Sequence, residues 1–330
     1  MIVHLFQPYV PKEAINEVVK TLKSRWIGQG SRVEEFEKKL SFLSKYVLTV
    51  NSGTSALELA YDLLNLKPGD EVITPVFTCV ATNLPLVRRG IKIVFADVRE
   101  NMTMDWNDAI SKITPKTKAI INIHLFGLYN EAPVLNIPVI GDAAHYLVKT
   151  ERERFTIYSF QATKIITTVD GGALVCENRK DYKRAKLLRW YGIDRETGKD
   201  NIDVDIKEAG YKFHMNDVTA SMGITALDSL AQLKEHRRKL QNKYKKLLGV
   251  EGGSPFLIHT QSRDKLRKKL ASCGIETGLV YRRNDLYSVF GGKRQDLPNM
   301  NRLENTYLFL PCHNNMSIKD VLQICSIINN

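Results

Sequence analysis

Short β-rich runs alternate with helical patterns through the first two thirds of this 330-residue chain, and that alternation limits the fold more than any other feature. The runs are Tyr46–Val50, Glu71–Thr74, Ile91–Ala96, Ala119–Ile123 and Pro138–Ile140, with helical stretches such as Ser55–Leu66 and Trp106–Ile113 between them. Strands separated by helices are joined by crossovers, so the pattern predicts an α/β fold built on a mainly parallel sheet. In such sheets ligands gather at the carboxyl ends of the strands. Beyond Asn216 the pattern changes, and long helices are expected over Val218–Leu233 and Glu235–Leu248. After Gly252-Gly253-Ser254-Pro255 follow strand-like Phe256–His259, Thr277–Tyr281 and Tyr307–Leu310, with helical Arg263–Ser272 and Ile318–Ile328. This predicts a large domain over residues 1–248 and a small α+β domain over 249–330.

The composition, 43% hydrophobic and 25% charged, is that of an ordinary globular chain. No apolar run approaches the roughly 18 residues of a membrane helix, and the opening MIVHLFQPYVPKE lacks a signal peptide's basic end and apolar core. The expectation is a cytoplasmic protein that does not enter a membrane. Five scattered cysteines without a CxxC pair read as reduced thiols, and the seven histidines do not cluster at metal-ligand spacing, so no metal is expected. A net charge of +12 draws anions to the surface, but no recognition motif accompanies it and no nucleic-acid partner is expected.

Three stretches can carry chemistry. Asn51-Ser52-Gly53-Thr54-Ser55 follows a strand and opens a helix: it reads either as a plain N-cap with a Gly turn or as a phosphate seat built from free helix amides. Asp142 lies just past an apolar strand, as an N-cap or as a functional acid. Lys164 follows strand-like Phe155–Phe160 in apolar company, as a surface charge or as a nucleophile whose pKa Ile165, Ile166 and Val169 would lower by desolvation. A sheet edge that brings the three together fits pyridoxal 5'-phosphate. The lysine forms a Schiff base, the acid keeps the pyridine nitrogen protonated, and the helix end grips the phosphate.

At these positions, and almost end to end, the chain resembles the sugar aminotransferases of the DegT/DnrJ/EryC1/StrS type, within the fold type I pyridoxal phosphate enzymes. The shared stretches include Trp26-Ile27-Gly28-Gln29-Gly30, Pro68-Gly69-Asp70-Glu71-Val72, His124-Leu125-Phe126-Gly127, Asp142-Ala143-Ala144, Ser159-Phe160, Lys164, Asp170-Gly171-Gly172 and Leu310-Pro311-Cys312-His313. The resemblance implies a mainly parallel seven-stranded sheet flanked by helices. It makes Lys164 the Schiff-base lysine and proton-moving base, Asp142 the partner of the pyridine nitrogen, and Gly53, Thr54 and Ser159 the phosphate ligands. His145 falls near the ring hydroxyl, and Cys79 stands where many relatives place a flat aromatic against the ring. Lys212 replaces an Asn that in relatives reaches the phosphate held by the other subunit, so a homodimer with shared active sites is implied.

The implied reaction transfers an amino group from L-glutamate to a keto group of a nucleotide-linked sugar. A sugar dehydratase of the same family would carry His in place of Lys164, and a regulatory or structural relative would have no need of the intact Lys164, Asp142 and Ser159 set. The segments Tyr129–Asn136 and 146–155 are shorter than in relatives, which is expected to expose one flank of the sheet, and Val280–Phe290 departs from the usual pattern beside the sugar pocket.

Overall fold

The structure, a computed structural model, describes residues 2–195 and 205–329. Seven strands form one sheet: β1 (Val47–Val50), β2 (Glu71–Pro75), β3 (Lys92–Ala96), β4 (Thr117–Ile123), β5 (Val139–Asp142), β6 (Phe155–Ser159) and β7 (Gly172–Cys176). Their order is β1-β7-β6-β5-β4-β2-β3, and every neighbouring pair is parallel except the two that involve β7. The α/β fold with a mainly parallel seven-stranded sheet is therefore as the sequence implies.

Side chains alternate across the sheet because successive residues of a strand point to opposite faces. Leu48, Val50, Ile157 and Leu174 join the core under helices Gly53–Leu63 and Val80–Arg88, while Val47, Tyr158 and Ala173 join a second cluster with Val33, Phe36 and Ile224. Both faces are covered, which explains why the strands read as near-continuous apolar runs.

A two-stranded antiparallel sheet, β8 (Phe256–His259) with β9 (Tyr307–Leu310), packs with helices Arg263–Ser272 and Ile318–Asn329 around its own apolar cluster. Two expectations are corrected here. Thr277–Tyr281 is not a strand: only Gly278 pairs with Phe309, and the Tyr281 carbonyl is taken instead by the Tyr307 hydroxyl at 2.7 Å. The helix expected over Val218–Leu233 ends at Asp228 and a new one runs from Leu230 to Leu248. The Ser229 N–H bonds the carbonyl of Ala226, three residues back, which tightens the last turn.

The active edge of the sheet depends on one backbone contact. Gly172 lies opposite both Val50 and Ser159, and a Cβ there would sit 2.6 Å from the Gly53 nitrogen and the Ser52 carbonyl carbon. Only glycine lets the turn from β1 into helix Gly53–Leu63 press against β7. Gly172→Ala should therefore cost about 1–3 kcal/mol of stability, the range for overpacking, in urea unfolding; wild-type stability would show that this turn is free to move.

Candidate active site

Four chain segments meet at the carboxyl ends of β1, β5 and β6. The first is the start of helix Gly53–Leu63. Ser52 caps it by accepting the Ser55 N–H at 3.0 Å, and the first-turn amides of Gly53 and Thr54 take no partner within the helix. A Cβ on Gly53 would lie 3.1 Å from the Ser159 Cβ, so glycine lets the end of β6 bring its hydroxyl against those amides. Both readings of this stretch are present at once: a cap, and an anion seat beside it.

The second is the end of β5. Asp142 is 7% exposed and held by two donors, the Ala144 N–H on Oδ1 at 3.1 Å and the Thr82 hydroxyl on Oδ2 at 2.9 Å. Asp142 thus caps a turn, but no helix follows it. Thr82 is itself fixed, since its carbonyl accepts the Tyr61 hydroxyl at 2.8 Å.

The third is the return from β6 to β7, which carries Lys164. It is closed by hydrogen bonds from Thr168 N–H to the Phe160 carbonyl and from Phe160 N–H to the Gly171 carbonyl, both 2.9 Å. Buried Ile166 and partly buried Ile165 pack into the cluster with Phe36 and Phe160, anchoring the loop, whereas Val169 is 58% exposed and shields nothing. The walls around the lysine come instead from Leu57, Ile123 and Ile157. The fourth segment brings Tyr281, whose hydroxyl lies 3.4 Å from His145 Nε2 and whose ring stacks on Phe126.

These segments enclose a cavity of about 310 Å³ lined by Gly53, Thr54, Cys79, Asp142, His145, Ser159 and Lys164. Of the site residues expected from sequence, Lys212 alone stays outside it: it is exposed, and its carbonyl accepts the Asn51 side-chain amide at 3.2 Å. Burial lowers the Lys164 pKa to about 8, against the pull of Asp142 and Cys79. It raises that of Asp142, opposed by the Ala144 N–H, the Thr82 hydroxyl and Lys164. Burial, with Lys164 and Arg237 nearby, also holds His145 well below its ordinary range, so the imidazole is neutral. The arrangement offers an amine of lowered pKa, a carboxylate held by two donors, and helix-end donors that suit an anion.

The chain matches the DegT/DnrJ/EryC1/StrS aminotransferase family over residues 8–329. It belongs to that family. Its structure superposes on AtS13 from Actinomadura melliaura with a TM-score of 0.92 at 31% identity, covering 99% of this chain and 98% of the other. Against Spr1654 of Streptococcus pneumoniae in its PLP form the TM-score is 0.88 at 25% identity, over 99% and 97% of the two chains. The UDP-4-amino-4-deoxy-L-arabinose--oxoglutarate aminotransferase of Shewanella sediminis is 27% identical over 98% of this chain and 97% of its own length. The family is one of sugar aminotransferases, and its cofactor is pyridoxal phosphate. The donors at Gly53, Thr54 and Ser159, the Asp142 carboxylate and the Lys164 amine fit that group's phosphate, ring nitrogen and aldehyde.

Thr82 completes the site without having been legible as a site residue, whereas Tyr281 lies in the Val280–Phe290 segment that the resemblance sets beside the sugar pocket. Thr82 lies one helical turn past Cys79, yet nothing in the sequence ties it to an acid sixty positions later. In the cofactor-free protein, Lys164 should be acylated with a pH midpoint near 8, because only the neutral amine reacts and its fraction rises through its pKa. A midpoint near 10.5, the ordinary lysine value, would mean that the cavity does not desolvate it.

Proposed function

We propose that the chain is a pyridoxal phosphate-dependent aminotransferase that carries the amino group of L-glutamate to a keto group of a nucleotide-linked sugar, an NDP-4-keto-6-deoxy or 3-keto sugar, and works as a cytoplasmic homodimer. The observation that carries this reading is the meeting of Lys164, Asp142 and the start of helix Gly53–Leu63 in one cavity. When bound, pyridoxal phosphate supplies an aldehyde that takes up the amino group and a ring that draws off electrons. The chain's own residues then have distinct tasks. The amides of Gly53 and Thr54 and the Ser159 hydroxyl hold the phosphate, with the positive helix end behind them. Asp142, oriented by Thr82 and Ala144, would hold a proton on the ring nitrogen. His145, neutral, would accept or donate at the ring hydroxyl, and Cys79 would pack against the ring.

Lys164 moves the proton. An amine with a pKa of about 8 is deprotonated in a useful fraction near neutrality and still basic enough to take a proton from carbon. Lys212, outside its own cavity, reaches the phosphate seat of a second copy. The Shewanella relative's name supports a nucleotide-linked sugar and the glutamate/oxoglutarate pair, and the +12 charge suits an anionic substrate.

Purified protein should be yellow. L-Glutamate should bleach the visible band with release of 2-oxoglutarate, and a nucleotide-linked keto sugar should restore it. Lys212→Ala should weaken cofactor binding about tenfold, the loss of roughly 1.4 kcal/mol. A protein that binds the cofactor but ignores glutamate and every keto sugar tried would remove the aminotransferase reading, and wild-type cofactor affinity in Lys212→Ala would remove Lys212 from the site.

A further inference from the structure

Behind the cavity, on the opposite face of the sheet, lies a buried carboxylate. Asn122, Gly141 and Thr156 form one row across β4, β5 and β6, and the next row is Ile123, Asp142 and Ile157. Alternation sends the second row to the cavity, where all three line it, and the first row away from it. Glu153 covers that first row. Its Oε1 accepts the Asn122 amide at 3.1 Å and His124 Nε2 at 2.8 Å, and its Oε2 accepts the Thr156 hydroxyl at 3.3 Å. A Cβ on Gly141 would lie 2.3 Å from Oε2, so the carboxylate occupies the space that a side chain next to Asp142 would fill.

The pair with His124 does not neutralise this charge. The side chains of Glu153 and His124 are 1% and 0% exposed. His124 Nδ1 accepts the Asn130 N–H at 3.2 Å, so its only proton is the one that Nε2 gives to Glu153. Three donors and, among the described residues, no paired Lys or Arg face the Glu153 carboxylate, an arrangement that favours its charged form. His124 is tied to the site by its backbone as well, its N–H bonding the Asp142 carbonyl at 3.0 Å. The other titratable groups around the carboxylate are the phenols of Tyr129 and Tyr158. The flanking Arg152 and Arg154 turn outward, to Glu131 and Asp181. On the cavity side Asp142 meets Lys164, Cys79, Tyr61 and Tyr281, and from behind it meets His124, which like Lys164 favours its charged form.

We infer that Glu153 is a positioning residue whose buried negative charge, one sheet layer behind Asp142, raises the proton affinity of the cationic groups in the cavity. These are the Lys164 amine and, under the function proposed above, the ring nitrogen. Glu153→Gln keeps the shape and an acceptor for His124 while removing the charge. At an effective dielectric constant of about 20, a charge across one sheet layer shifts a pKa by about 0.5–1 unit after screening. In cofactor-free Glu153→Gln the midpoint of Lys164 acylation should fall by about that amount. The pH midpoint of the holoenzyme's visible absorbance band should fall with it.

A variant with lowered unfolding stability but both midpoints within about 0.2 unit of wild type would overturn the inference, since a purely structural Glu153 predicts that result. If Glu153→Gln does not fold, nitrogen NMR of histidine-labelled wild type decides: the neutral Nε2–H form of His124 supports the uncompensated charge, and a doubly protonated ring overturns it. The acylation and NMR readouts need no cofactor. A wild type that binds none therefore fails the functional reading alone, whereas unchanged midpoints fail only this one.

Discussion

Lys164 and Asp142 carry opposite charges into one cavity where burial disfavours both. Burial alone would leave an uncharged amine and an uncharged acid, and their mutual attraction only partly restores the charges. The site therefore sets a lysine with its pKa lowered to about 8 beside an acid with its pKa raised, and a cationic ring placed beside Asp142 would favour the charged carboxylate. The Thr82 hydroxyl and the Ala144 amide bias it the same way, because each donates to the charged form of the carboxylate. Removing a hydrogen bond to a charged group costs about 1.5–3 kcal/mol, so these two contacts weigh as much as the geometry they impose.

That geometry comes from the sheet. β7 runs against its neighbours and lets β6 turn back through the loop 160–171, so Ser159, Lys164 and Gly172 share one edge. The parallel pairing of β5 with β6 puts Asp142 next to Ile157, two residues before Ser159. Gly172 lets helix Gly53–Leu63 begin against that edge, and Gly53 lets Ser159 approach its amides. Two glycines with different neighbours thus align a helix end, a hydroxyl and a lysine loop, and the carboxylate follows from register alone.

Much of this was legible in the sequence where chemistry is local. The alternation of runs predicted the parallel sheet, and the small residues of Ser52-Gly53-Thr54 announced a helix start able to hold an anion. Residue type marked Asp142 and Lys164, and the sheet brought them together. What the sequence hid depends on long-range contact. Val169 looks like part of an apolar shield but is exposed, and the walls come from Leu57, Ile123 and Ile157 on other elements. Thr277–Tyr281 has strand character, yet its hydrogen bonding is diverted to Tyr307, which leaves Tyr281 over the cavity. Glu153 sits in an Arg- and Glu-rich stretch, and only its contacts with the row formed by Asn122, Gly141 and Thr156 make it a buried carboxylate. The shortened segment beside it, expected to lay the sheet's flank open, leaves Tyr129 partly exposed but keeps His124 fully covered.

The central claim is that the amine desolvated in this cavity is the one that engages the cofactor. Borohydride reduction of the holoenzyme followed by peptide mass mapping tests it most directly. The cofactor mass should be found on the peptide containing Lys164, and Lys164→Ala should take up no label. Label on any other lysine, or undiminished label in that variant, would contradict the account.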